Sequence, residues 1–185
     1  MSFSMSPESE QKVNELKAKY PQPESAVMPI LYLVQEEHGH ISDAAVDWIS
    51  EQVGISPAHV MELVTFYTMY RKEPLGKYHI QVCRTLSCGL CGAKKLMEYL
   101  HERLGVEPKQ VTEDGMFSYE HVECLGSCGT APMCEINDTY FENLTPEKLK
   151  TVLDSIEKSR PDLTYSQKRD ELGSGLDGYS KSEVI

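Results

Sequence analysis

Along the first 70 residues the apolar positions recur at helical spacing. Ser6-Pro7-Glu8 reads as an N-cap, a helix-compatible proline and an acid set against the dipole. Val13, Leu16 and Tyr20 follow at i, i+3 and i+7, until Pro21 and Pro23 stop the run. A second helix is expected over 24–38, with Pro29 in its first turn or at a kink. Ala45, Ile49 and Val53 form a third stripe beside Trp48, closed by Gly54, and Ser56-Pro57 opens a fourth, shorter helix. These segments predict a helical bundle over 1–72.

The period changes after Pro74. Tyr78, Ile80 and Val82 alternate with His79, Gln81 and Cys83, the mark of a strand with one buried face. Ala93, Leu96, Met97, Leu100 and Leu104 line one side of a helix over 92–104, and Gly105 is its stop. Strands are expected at 117–123 and 133–136, with Asn137-Asp138 turning into a short strand at Tyr140-Phe141. Thr145-Pro146-Glu147 caps a last helix striped by Leu149, Val152, Leu153 and Ile156. Strand–helix–strand followed by further strands and a helix predicts an α/β domain over 73–160. From Pro161 the chain turns polar and Gly/Ser-rich, so 161–185 is expected to be a tail ordered against a partner.

Composition narrows the function classes. Eighteen Lys and Arg stand against 29 Asp and Glu, a net charge of −11, which opposes binding to nucleic acid or an anionic membrane. The longest apolar run, Ala26 to Val34, holds Pro29 and falls well short of the ~18 residues that a membrane span requires. The N-terminus has neither the basic-then-apolar look of a secretory signal nor an Arg-rich transit segment, so a cytoplasmic location is expected. In that reducing compartment the six cysteines are expected to be metal ligands or redox thiols rather than disulfides.

The cysteines are Cys83, Cys88, Cys91, Cys124, Cys128 and Cys134. C-x4-C and C-x2-C in one loop and C-x3-C in another can bring four thiolates to one end of a sheet. Gly89, Gly92, Gly126 and Gly129 accompany them, where backbone N–H groups can approach sulfur. By spacing alone several readings stand: a [2Fe-2S] cluster on Cys83, Cys88, Cys124 and Cys128; a plant-type ferredoxin spacing through Cys83, Cys88 and Cys91; a thioredoxin-like dithiol at Cys88 and Cys91; and a zinc site. Other signals fall away. Gly173-Ser-Gly175-Leu-Asp-Gly178 matches G-x-G-x-x-G without the strand and helix that a nucleotide site needs. His38 and His40 read as exposed, the other four histidines lack a partner at ligand spacing, and Phe66, Tyr67, Met69 and Tyr70 read as packing. No nucleophile–base pair, catalytic carboxylate pair or phosphate loop is evident.

The sequence around the cysteines resembles the thioredoxin-like [2Fe-2S] ferredoxin family, the iron–sulfur component of NADH:quinone oxidoreductase (respiratory complex I) that accompanies its flavin-binding subunit. The resemblance rests on Thr65-Phe-Tyr-Thr-Met-Tyr70, Gly76-Lys-Tyr-His-Ile-Gln-Val-Cys83, Cys124-Leu-Gly-Ser-Cys128, Ala131-Pro-Met133, Ile136-Asn-Asp138 and Leu144-Thr-Pro146. It runs from about residue 24 to about residue 158, so it includes the helical half. It implies a thioredoxin-like domain after the helical bundle, and one [2Fe-2S] cluster on Cys83, Cys88, Cys124 and Cys128. It also implies a partner subunit that binds NADH and FMN, single-electron exchange with that flavin, and a place in a peripheral arm on the cytoplasmic side of the membrane. Leu90 and Gly92 match the family's C-x4-C-x-L-x-G stretch, which leaves Cys91 at a variable position as a non-ligand. Cys134 shares a strand face with Ile136 and reads as a small buried hydrophobe. The equivalent module of an NAD-linked hydrogenase or formate dehydrogenase is the alternative within the same chemistry.

Overall fold

The structure is a computed structural model, and it describes residues 3–163. The chain divides into two compact units, Met1–Pro74 and Leu75–Ile185.

The first unit is built from four helices, α1 (Pro7–Lys19), α2 (Val27–His38), α3 (Asp43–Val53) and α4 (Pro57–Phe66). Ser6, Ser42 and Ser56 each accept the backbone N–H three residues on, satisfying a donor that the first turn would leave unpaired. Pro29 lies in the first turn of α2, where its missing N–H costs no helical bond, so there is no kink to explain. Gly39 and Gly54 end α2 and α3 in left-handed conformation. Ile30, Leu31 and Val34 of α2 pack against Ala45 and Ile49 of α3, all fully buried. The Gln35 amide then pins the following segment, donating to the Met69 carbonyl at 2.9 Å and accepting the Arg71 N–H at 2.7 Å. The expectation that the aromatic stretch packs inside is half right. Tyr70 is buried and donates its hydroxyl to the Met28 carbonyl, whereas Phe66 and Met69 are exposed.

The second unit holds a four-stranded sheet in the order β2-β1-β3-β4: β1 (Tyr78–Cys83), β2 (Phe117–Val122), β3 (Cys134–Ile136) and β4 (Thr139–Phe141). β1 runs parallel to β2 and antiparallel to β3. A parallel neighbour demands a crossover, supplied by α5 (Leu86–Leu90) and α6 (Ala93–Leu104). Tyr78, Ile80 and Val82 bury against Leu96 and Leu100 of α6 and Leu153 and Ile156 of α7 (Pro146–Ser159). Gly76, just before β1, passes so close to β2 that a Cβ would meet the Phe117 backbone. The chain stays packed past the expected break at Pro161. The Tyr78 hydroxyl donates to the Pro161 carbonyl at 2.8 Å, and Leu163 is buried in the same core. The remainder of the expected tail, 164–185, with its G-x-G-x-x-G, lies outside the described residues. No helix among the described residues is long and apolar enough to cross a membrane.

Candidate metal centre

Two parallel strands end at the same edge of a sheet. The register pairs Cys83 with Val122, so the loops that follow β1 and β2 leave side by side. The first loop enters α5, a five-residue helix that places Cys88 on its buried side and leaves Cys91 exposed at its C-cap. Gly92, at φ 106°, then turns the chain into α6, a conformation that a side chain would resist. The second loop carries Cys124 and Cys128, with Gly126 between them at φ 86°. That φ turns the Gly126 N–H onto the Cys124 sulfur at 3.4 Å, and the Cys124 and Cys128 sulfurs stand 3.4 Å apart. Gly89 and Gly129 show no such conformation.

The surroundings fix both loops. Met133 and Ala93 are fully buried and pack with Cys83 and Cys88, with Leu125 and Ala131 at the edge of the cluster. Behind the second loop, Ser127 and Thr130 donate to the Glu142 carboxylate, and the Tyr140 hydroxyl donates to the Leu125 carbonyl at 2.8 Å. Such outer contacts orient ligand-bearing segments.

Within each cysteine pair one thiol is driven down and the other up. Burial pushes Cys83 up, but hydrogen bonds from Thr85, Cys88 and the Leu125 N–H outweigh it and bring it below the ordinary thiol range. Cys88 is pushed up to about 11, first by burial and then by its bond with Cys83. The Gly126 N–H, and then the bond from Cys128, lower Cys124, while Cys128 rises because it holds the proton offered to Cys124. Charge on Cys83 bears on Cys124 and Cys128, and charge on Cys128 bears on Cys88, so the two pairs form one electrostatic group. Two thiols sharing one proton are half-prepared as ligands, and a bound cation displaces the rest.

The donor set fits a two-iron cluster. Among the described residues no three His, Cys, Asp or Glu side chains surround a single point able to hold one ion. A two-iron cluster asks for two thiolates on each of two irons, and these thiols come as two pairs, a grouping that suits it. A reactive C-x2-C dithiol presents an accessible thiol at the helix start, whereas Cys88 is buried. Cys134 is fully buried in the main core, where burial drives its thiol far up, apart from the other cysteines.

Two features were not foreseen from the sequence. Thr85 stands 3.3 Å from the Cys83 sulfur through its hydroxyl. His79, which has no partner at ligand spacing, is buried and linked to the Ser118 hydroxyl at 2.9 Å and the Glu120 carboxylate at 3.1 Å. Its partners lie 39 and 41 residues away, and the parallel register that joins them cannot be seen in spacing.

The family model described as thioredoxin-like [2Fe-2S] ferredoxin matches residues 13–157. "NADH-quinone oxidoreductase subunit 2" of Thermus thermophilus is 48% identical over 145 residues, which is 76% of this chain and 80% of that protein. A subunit of the same-named oxidoreductase from Rhizobium meliloti is 38% identical over 78% of this chain and 86% of its own length. One from Rickettsia bellii is 38% identical over 83% and 94% respectively. Among solved structures, an NAD+-reducing [NiFe]-hydrogenase chain superposes with a TM-score of 0.64 at 16% identity, covering 86% of this chain and 25% of that one. That likeness concerns the fold.

Proposed function

Because the chain belongs to the thioredoxin-like [2Fe-2S] ferredoxin family, we propose that it is the electron-transfer subunit of an NADH:quinone oxidoreductase, holding one cluster on Cys83, Cys88, Cys124 and Cys128. Relatives at 38–48% identity that carry that enzyme's name support this reading. The carrying observation is the pairing of thiols from two adjacent loops into one group, with the Cys124 and Cys128 sulfurs 3.4 Å apart. The hydrogenase reading has only a fold likeness behind it. When bound, the cluster stores and releases single electrons at a potential set by its surroundings.

The chain's own residues then have separate tasks. The four thiolates bind. The Gly126 N–H places a positive dipole against a sulfur, which favours the negative charge of the reduced form. Met133 and Ala93 exclude water on the Cys83–Cys88 side. Hydride chemistry requires a flavin, so the chain has no complete active site of its own and is matched to a partner subunit that binds NADH and FMN. To the helical unit, Met1–Pro74, we assign the task of docking that partner, in a peripheral arm on the cytoplasmic side of the membrane.

Serine substitution of each cysteine tests the assignment. Cys83→Ser, Cys88→Ser, Cys124→Ser and Cys128→Ser should each lose the cluster or alter its visible spectrum, while Cys91→Ser and Cys134→Ser keep the wild-type iron content and spectrum. Loss of iron from Cys91→Ser, with iron retained and the spectrum unaltered in Cys88→Ser, would overturn it.

A further inference from the structure

Five helices begin behind a Ser or Thr: α1 behind Ser6, α3 behind Ser42, α4 behind Ser56, α5 behind Thr85 and α7 behind Thr145. Four of these hydroxyls accept a backbone N–H of the first turn at 3.2–3.3 Å, the usual use of such a residue. Thr85 has the extended backbone of an N-cap, φ −74° and ψ 177°, yet makes no capping bond with its side chain. Its hydroxyl turns back instead and lies 3.3 Å from the Cys83 sulfur, two residues earlier. A metal-bound thiolate carries no proton, so in this contact the hydroxyl is the donor.

We infer that Thr85 sets the reduction potential of the cluster by donating its hydroxyl to the Cys83 sulfur, at the expense of capping α5. The inference rests on the cluster assignment proposed above. One-electron reduction adds a negative charge that spreads onto the sulfurs. An O–H directed at them is therefore stronger in the reduced form and favours it. No covalent bond changes: the hydroxyl keeps its proton, and the electron is that of the flavin partner. A residue of this kind is a positioning residue, acting on the cluster through its ligands.

The test is a redox titration of the full-length protein carrying its cluster, followed through the visible bands, for wild type, Thr85→Val, Thr85→Ala and Thr85→Ser. Both hydroxyl-free variants should bind the wild-type amount of iron and be reduced about tenfold less favourably, which for one electron is about 59 mV lower. Thr85→Ser should restore the wild-type potential. An unchanged potential in Thr85→Val and Thr85→Ala would overturn the inference and leave the cluster assignment standing. So would hydroxyl-free variants that fail to fold or to hold iron, because the hydroxyl would then serve assembly. Wild-type protein that takes up no iron and sulfide would instead overturn the assignment, and the inference with it.

Discussion

Met133 carries the packing of the site, and its removal gives a magnitude that can be checked. Its side chain is fully buried against Cys83, Cys88 and Ala93, and its carbonyl accepts the Cys83 N–H at 3.4 Å. Met133→Ala keeps the backbone bond and empties the space behind the first ligand pair. Burial this complete places the cost in the middle of the range for such truncations, about 3 kcal/mol. At about 1.4 kcal/mol per factor of ten, that is roughly a 150-fold fall in the folding constant of the second unit. Trp48, the only tryptophan, lies in α3 of the first unit, so its fluorescence does not follow this event. Native-state hydrogen exchange does. Amides of β1, at the centre of the sheet, open with the unit and should lose protection about 150-fold, while those of α2 stay unchanged. Protection in β1 within about threefold of wild type would refute the packing argument.

Other substitutions separate backbone, charge and ligand effects. Gly126→Ala has open space for its methyl but must hold φ 86°, at about 1–2 kcal/mol; the visible bands should decay several-fold faster under chelator than in wild type. Gly76→Ala meets the Phe117 carbonyl oxygen at 2.7 Å, backbone that cannot yield, and should lower the melting temperature of the second unit by about 10 °C, for a cost of about 2 kcal/mol. The Glu120 carboxylate is held below its ordinary 4.5 by the hydrogen bond from His79, against burial and with help from the Gln81 amide. A lowered folded pKa gives stability that is complete above the unfolded value and lost as pH falls through the folded one. The melting gap between wild type and Glu120→Gln should therefore be full above pH 4.5 and narrow below it; a gap that widens on acidification would contradict the assignment.

What could be read from the chain depended on how local the cause was. Ser6, Ser56 and Thr145 announce helices because a capping hydroxyl acts over three residues, and β1 announces itself because alternation of Tyr78, Ile80 and Val82 is a property of one strand. α5 escaped, since five residues containing a glycine and a cysteine show no period. Thr85 escaped because nothing in its position before α5 shows that its hydroxyl turns back onto the Cys83 sulfur instead of capping the helix. The link from His79 to Ser118 and Glu120 depends on parallel register, and the exposure of Phe66 on how its helix ends, neither of which spacing encodes. The cysteine pairs were legible as metal chemistry, but spacing left zinc, dithiol and cluster readings open. The match to the thioredoxin-like [2Fe-2S] ferredoxin family selects the cluster, and the two-by-two grouping of the thiols suits it.

The central claim is one two-iron cluster on this chain. Anaerobic preparation, with iron, acid-labile sulfide and zinc quantified beside the visible spectrum, tests it most directly. The account predicts about two irons and two sulfides per chain, with charge-transfer bands that bleach on taking up one electron. A colourless protein that holds zinc, or one that after reconstitution with iron and sulfide takes up neither and oxidises to a Cys88–Cys91 disulfide, would contradict it.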